Sequence, residues 1–328
     1  MKKVAIIVGG SGFIGGYLIR DLLLKSEFDL IYNFDLREKN FSDCRIKYFN
    51  VDVRKPIQVE IETGELDYAW IFNLAALCRE PGYEAKEYFD TNVGGANNVT
   101  LFARQHGIRN IFFTSTMSSF GRMEKPTCEG DFQYPETPYG VSKLVAEKIH
   151  EIWLAESSNR RLIICRPAVI FGPGDDQNVP RLIRTIRMGF MLFPGNPRIV
   201  KAYGYVRGLV ESIQFTRGRN QENFIVYHYA EDKCQTLEGM VKTISKFMNK
   251  NPLLLNVPIS VLIVLSSLIQ FLVSIFGKKS SVHPTRIRKL AFPTNLQPKY
   301  LIATGFLFKY PLEQALADWK NSRPEEWL

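Results

Sequence analysis

Histidine and cysteine are scarce in this 328-residue chain, at 4 and 5 copies. The cysteines (Cys44, Cys78, Cys128, Cys165 and Cys234) stand far apart, form no CxxC pair and have too few histidines nearby for zinc. An odd, dispersed set excludes a disulfide framework and reads as reduced thiols in a reducing compartment, so no metal site is expected. No basic segment is interleaved with aromatics, which argues against nucleic acid as a partner. Internal repeats and low-complexity linkers are also missing. The apolar run after the first lysines, Val4 to Val8, is too short for the core of a signal peptide and ends in Gly9-Gly10. It reads as a first strand, and a cytoplasmic N-terminus is expected.

What remains is the composition of a folded protein, 45% hydrophobic and 23% charged. A formal charge of +9 favours anionic partners, among them phosphorylated small molecules and anionic lipid surfaces. Short apolar runs alternate with helical patterns through the first half, the mark of βαβ units and a parallel sheet. Strands are expected at Val4–Val8, Leu30–Phe34, Ile46–Val51, Trp70–Leu74, Asn110–Thr114 and Arg161–Arg166, with helices at Ile14–Leu24, Thr91–His106 and Gly140–Ala155. The expected fold is α/β: a Rossmann, doubly wound parallel sheet over residues 1–171, with a returning strand near 223–229. Residues 172–328, richer in Pro and Gly at first, read as a smaller substrate-binding lobe.

The turn Gly9-Gly10-Ser11-Gly12-Phe13-Ile14-Gly15 joins the first strand to the first helix. Gly9, Gly12 and Gly15 let the backbone turn tightly and approach a pyrophosphate at the positive helix end, with Phe13 and Ile14 beside them. Asp35 closes the second strand, where a carboxylate accepts hydrogen bonds from the adenosine ribose and repels a 2′-phosphate. The expected cofactor is therefore NAD. Tyr139 and Lys143, four residues apart, share one helix face. A phenol with a pKa near 10 is a poor base at neutral pH, and an adjacent ammonium favours its phenolate. The spacing thus predicts a base whose pKa the lysine lowers.

In these blocks, together with Asp52-Val53, Asn73-Leu74-Ala75-Ala76, Thr91-Asn92-Val93-Gly94-Gly95, Phe113-Thr114-Ser115-Thr116 and Arg166-Pro167, the chain resembles extended short-chain dehydrogenase/reductases of the NAD-dependent epimerase/dehydratase family. The resemblance implies that Asp52 and Val53 flank the adenine and that Leu74, Ala75 and Ala76 line the diphosphate-ribose side. It places Asn92 behind the active site and makes Thr116 the active-site hydroxyl, with Ser115 and Ser118 as alternatives. Tyr139 and Lys143 then complete the catalytic set, and Lys143 also binds the nicotinamide ribose. Lys201 stands where an Arg commonly grips a substrate diphosphate, with Asn178 and Arg181 as helpers. Val169 replaces a substrate-contacting Asn of many nucleotide-sugar enzymes, and Arg207-Gly208 replaces an acidic pair.

The second half is similar to O-antigen-cluster epimerases, and within them to the undecaprenyl-diphosphate N-acetylglucosamine 4-epimerases. This likeness implies a 4-epimerase of a diphosphate-linked hexose or N-acetylhexosamine, carried by polyprenol or nucleotide, serving surface polysaccharide synthesis through a transient 4-keto sugar. A homodimer is implied too. Rival readings are a 4-keto-sugar reductase, a 4,6-dehydratase, a steroid-dehydrogenase-like enzyme and a non-catalytic NAD-sensing scaffold. Met117 and Ser118 stand where dehydratases carry an Asp-Glu pair, which weighs against the second. Val257–Phe276 contains no charge, and Lys278 and Lys279 follow. Ser260, Ser267 and Ser274 recur every seven residues. Such a helix lies at a membrane interface, packs inside the protein or spans a bilayer. Contact through 257–279 would place the protein peripherally on the cytoplasmic face of the inner membrane.

Overall fold

The protein's structure, a computed structural model, describes residues 3–38, 41–62, 68–275 and 283–327. Its first elements are β1 (Val4–Val8), α1 (Phe13–Leu24), β2 (Leu30–Asp35), β3 (Ile46–Asn50) and β4 (Trp70–Asn73). Then come α2 (Ala85–Tyr88), a π turn (Phe89–Val93), α3 (Gly94–Gln105), β5 (Asn110–Thr114), a 3-10 turn (Met117–Phe120) and β6 (Met123–Thr127). The middle holds α4 (Pro138–Ala155), β7 (Arg161–Pro167), β8 (Val169–Phe171), α5 (Asn178–Arg187), β9 (Phe190–Pro194), β10 (Val200–Lys201) and β11 (Tyr203–Tyr205). Next are α6 (Val206–Arg217), β12 (Phe224–Tyr229), β13 (Gln235–Thr236), α7 (Leu237–Phe247), β14 (Leu253–Val257) and α8 (Ile259–Ile275). The chain closes with α9 (Pro284–Ala291), β15 (Thr294–Leu296), α10 (Lys299–Ala303), α11 (Leu312–Ser322) and a 3-10 turn (Pro324–Trp327).

Seven strands form the main sheet in the order β12-β7-β5-β4-β1-β2-β3, and every pairing is parallel. The strand order reverses between β1 and β4, where a doubly wound sheet opens a crevice for a ligand. β1, β4 and β7 are buried along their whole length, because helices cover both faces. Ala96, Val99, Phe102, Ala146 and Trp153 from α3 and α4 fill one face. Leu18, Ile19 and Leu22 from α1, with Leu209, Val210 and Ile213 from α6, fill the other. The expected parallel α/β fold is thus the observed one. A third apolar cluster lies beyond the sheet, among Phe171, Ile183, Tyr205, Val241, Leu316 and Trp319.

The link between sheet and this cluster runs through a buried carboxyl. The Tyr229 hydroxyl lies 3.1 Å from the Tyr205 carbonyl and 3.2 Å from Glu231 Oε1. The other oxygen of Glu231 is buried without a partner. Burial pushes this carboxyl up to about 8 from an ordinary 4.5. The folded state therefore holds a proton that the unfolded chain releases. This contribution to stability is complete below about 4.5 and is lost as pH rises towards about 8. Glu231→Gln, which keeps the neutral shape, should flatten the decline in denaturant midpoint across that window. An unchanged slope would assign the decline to other groups.

α8 is mostly uncovered. Its better-packed side carries Ser266 with half-buried Leu262, Ile263, Gln270 and Val273, while Val264, Leu268, Phe271 and Leu272 are 54–64% exposed. Leu253, Leu254 and Leu255 of β14 are exposed beside it in sequence. The reading of this stretch as a helix packed inside the protein is therefore overturned, because most of its apolar side chains face outward. No helix among the described residues is long and apolar enough to cross a membrane. Phe276, Lys278 and Lys279, which belong to the anticipated membrane contact, lie outside the described residues.

Candidate active site

The glycine turn leaves β1 at Gly9, whose φ of +87° suits a residue without a side chain. A Cβ on Gly9 would meet the Ala75 nitrogen at 2.8 Å, and one on Gly15 would meet the Gly9 carbonyl at 2.4 Å. Gly12 then begins α1 with no side-chain cap, so the first-turn amides are left for a ligand. Asp35 Oδ2 accepts a hydrogen bond from the Ser11 amide at 3.1 Å, which brings the carboxylate against the turn. Buried Asn33, unremarked in the sequence, braces the same loop by donating to Ser11 Oγ. Leu74 and Ala75 back onto the turn, Val53 packs on Gly95, and Asp52 is paired with Arg54 at 2.7 Å. A cradle that any Cβ would fill, uncapped helical amides and a carboxylate at its rim fit a dinucleotide. Gly9, Gly12, Phe13, Ile14, Gly15 and Asp35 are the residues that would hold it.

α4 starts with a Thr137 cap, whose hydroxyl accepts from the Gly140 amide at 3.1 Å, and with Pro138 in its first turn. A Cβ on Gly140 would lie 2.4 Å from the Ser118 carbonyl, so glycine lets the helix end reach the 3-10 turn. That approach sets Tyr139 near Thr116, whose hydroxyl favours the phenolate. Thr116 is buried, and its Oγ1 also accepts from the Ser118 amide at 3.1 Å. Ser115 points the other way and donates to Glu147. The structure thus brings Thr116, and not Ser115, to the tyrosine.

Lys143 lies one turn along α4, only 2% exposed, with its ammonium 4.1 Å from the centre of the Phe113 ring. Burial pulls it down to about 7, with Glu147 opposing the fall. The tyrosine departs from expectation. Burial raises its phenol well above 10, and Cys78 and Glu80 add to the rise, while the Thr116 hydroxyl opposes it. The expected net lowering is not found, because burial outweighs the favourable influences on the phenolate. Desolvation disfavours phenolate and ammonium alike.

Asn92 sits in the π turn before α3. It accepts from the Leu77 amide at 2.9 Å and donates to Ser142 Oγ at 2.9 Å, while Ser142 donates to the Tyr139 carbonyl. Asn92 thereby ties the loop after β4 to the catalytic helix. Lys201 is half-buried, and its ammonium donates to the carbonyls of Lys289 (3.0 Å) and Phe292 (2.5 Å) at the end of α9. Burial pulls it down to about 7. Glu80 forms an ion pair with Lys289 and accepts from Thr137. Arg286 on α9 is lowered by burial and, to a lesser degree, by the charges of Arg181 and Arg79, and Arg79 is itself paired with Asp176 at 2.8 Å. Asn178 opens α5 and is exposed. Cys78, Glu147, Arg79 and Arg286 escaped the sequence reading as site residues, whereas Arg181 was read as a helper; among those missed only Glu147 left a local signal, four residues beyond Lys143.

Comparison with known proteins agrees with this geometry. The model of a family described as the NAD dependent epimerase/dehydratase family matches residues 5–223. The N-acetyl-alpha-D-glucosaminyl-diphospho-ditrans,octacis-undecaprenol 4-epimerase of Escherichia coli O157:H7 is 27% identical, over 96% of this chain and 94% of its own. The UDP-glucose 4-epimerase of Vibrio cholerae is 26% identical over 79% of this chain and 80% of its own. Among solved structures, the UDP-glucose 4-epimerase of Thermotoga maritima with UDP-glucose superposes with a TM-score of 0.74 at 16% identity, covering 98% and 99% of the two chains. With its glycine cradle, its Tyr-Lys helix and the family match over two thirds of its length, the chain belongs to the NAD-dependent epimerase/dehydratase family.

Proposed function

We propose that the protein is an NAD-dependent 4-epimerase of an N-acetylhexosamine joined through diphosphate to a polyprenol, acting at a membrane surface in bacterial surface-polysaccharide synthesis. The observation that carries the chemistry is the close approach of the start of α4 to the turn after Thr116, which sets buried Thr116 near Tyr139 with Lys143 one turn along the same helix. In this reading the Thr116 hydroxyl holds the sugar O4 and the Tyr139 oxygen takes its proton, with the Lys143 charge favouring phenolate. NAD, when bound, accepts hydride from C4 and returns it to the opposite face of the same carbon. Asp52, Val53, Leu74, Ala75, Ala76 and Asn92 complete the cofactor's surroundings.

In this reading Arg181 and Arg286 supply the cationic wall for the diphosphate, with the Arg79–Asp176 pair and Asn178 at its edge. Lys201, bonded to two carbonyls, sets the position of α9 along that wall. Residues 172–328 form the substrate lobe. The outward apolar face of α8, on the helix next to α9, supports a lipid carrier, as does the full-length likeness to the Escherichia coli enzyme. A homodimer completes the proposal.

The test is incubation with matched polyprenyl-diphosphate- and UDP-linked N-acetylglucosamine, followed by sugar analysis. The lipid-linked sugar should be converted to its 4-epimer with no net change in NADH. Conversion of the nucleotide form alone would sink the lipid carrier, and stoichiometric consumption of NADH would make the protein a reductase.

A further inference from the structure

We propose that Glu147 is a positioning residue for the catalytic pair: its buried carboxylate, clamped by Arg166 and Ser115, fixes a negative charge one helical turn behind the Lys143 ammonium. The proposal rests on the reading of Tyr139 and Lys143 as the reacting pair. Glu147 is fully buried and lies one turn beyond Lys143 on α4. Arg166, 5% exposed, comes from β7 and grips it as a fork, with Nη2 2.7 Å from Oε2 and Nε 3.0 Å from Oε1. Ser115 donates to Oε1, and Gln133 Nε2 lies 3.4 Å from Oε2. The guanidinium is itself fixed by the Glu129 carbonyl (2.9 Å) and by Gln133 Oε1 (3.1 Å). Strand β7, the loop before α4 and the turn carrying Thr116 therefore converge on one carboxylate.

A charge locked this firmly beside a buried lysine has an electrostatic consequence. β5 offers Lys143 the face of Phe113, which carries no charge. The loop after β4 offers Cys78, whose thiol is shifted upward although the residue is exposed. On α4, His150 is held neutral, pulled down to about 4 by burial, and bonds the Ala146 carbonyl and Asn73. Tyr139 is held as the phenol. Glu147 is the largest influence opposing the loss of the lysine's proton, ahead of Cys78. Arg166 keeps the carboxylate pointed, and Ser115 fixes which oxygen faces the turn.

The experiment is the pH dependence of kcat in Glu147→Gln and in Glu147→Gln/Arg166→Gln, with bound NAD as the check on folding. The double variant leaves no guanidinium buried without a partner. In either variant the alkaline limb, where Lys143 loses its proton, should move by about one pH unit towards acid, with KM little changed. Glu147→Asp, which keeps the charge one methylene further back, should give an intermediate limb. A folded variant whose limb coincides with the wild-type limb, whatever its kcat, shows a purely structural role and overturns the proposal. If neither Gln variant folds, Glu147→Asp decides on the same criterion. An active Tyr139→Phe enzyme would instead overturn the catalytic pair itself, whatever Glu147 does.

Discussion

Tyr139→Phe should lower epimerisation by about a thousandfold or more while leaving NAD bound and the fold intact, because proton transfer by a positioned side chain contributes about 10² to 10⁴ in rate. The substitution removes one oxygen and keeps the ring, which packs at 6.0 Å from that of Tyr88. Its structural penalty is therefore small, about 1 kcal/mol for the loss of one polar group. The chemical penalty is large because no other group is placed to do the same work. Burial keeps the phenol protonated in the free protein, so the base forms only when cationic charge is near its oxygen. Lys143 supplies one such charge, and its own proton is weakly held, at about 7. The pair is thus set for a proton that moves in either direction at neutral pH. Rates measured with and without the hydroxyl, beside the absorbance of bound cofactor, check this directly. Retention of more than about a tenth of the activity would place the proton transfer elsewhere.

How much of this was written in the sequence depends on the distance over which each feature is decided. β1 and β5 fall where periodicity puts them, and α1 begins one residue earlier than expected. Those elements are specified by local apolar spacing and by glycines at their ends. The Tyr139–Lys143 pair was legible for the same reason, since a separation of four on a helix needs no tertiary information. The helix expected at Thr91–His106 instead opens as a π turn. Asn92 there serves the Leu77 backbone and Ser142, partners that its own neighbourhood in sequence does not announce. Lys201 and Tyr139 mark a second limit. Residue type gave a cation and a base, but burial decides how firmly each holds its proton, and burial is a property of the packed chain. α8 marks a third: a run of twenty uncharged residues records apolarity and not which side of the helix meets the protein.

Arg161 illustrates that limit most sharply, and replacing it should be among the most destabilising single changes in the sheet. In sequence it is one more charged residue at the start of a strand. In the fold it is 7% exposed, and its guanidinium donates to the carbonyls of Thr216 (3.0 Å), Arg217 (2.9 Å), Arg219 (2.8 Å) and Glu222 (3.1 Å), and to Asn220 Oδ1 (3.2 Å). Two of these carbonyls, those of Thr216 and Arg217, belong to the last turn of α6, so the arginine of β7 helps to cap that helix. The cation also lies 5.3 Å from the Trp70 ring. Burial and the nearby Arg217 both press against its charge, so the arrangement persists only because the fork is filled. Arg161→Met keeps the stem and strands a cluster of buried acceptors. The expected loss is about 3–5 kcal/mol, of the order found when one side of a buried charged network is removed, against a total stability of about 5–15 kcal/mol. Arg161→Lys should recover little, since three donors on a point charge cannot span five acceptors. α6 packs against α1, which carries the glycine turn at its other end, and Gln214 bonds Asp21 across that contact at 2.7 Å. The damage should therefore reach cofactor binding only as the fold begins to open, with affinity unchanged well below the melting point. Denaturant unfolding of the two variants, paired with NAD titration at low temperature, separates these effects. A loss below about 1 kcal/mol for Arg161→Met would mean that water replaces the arginine at the end of α6.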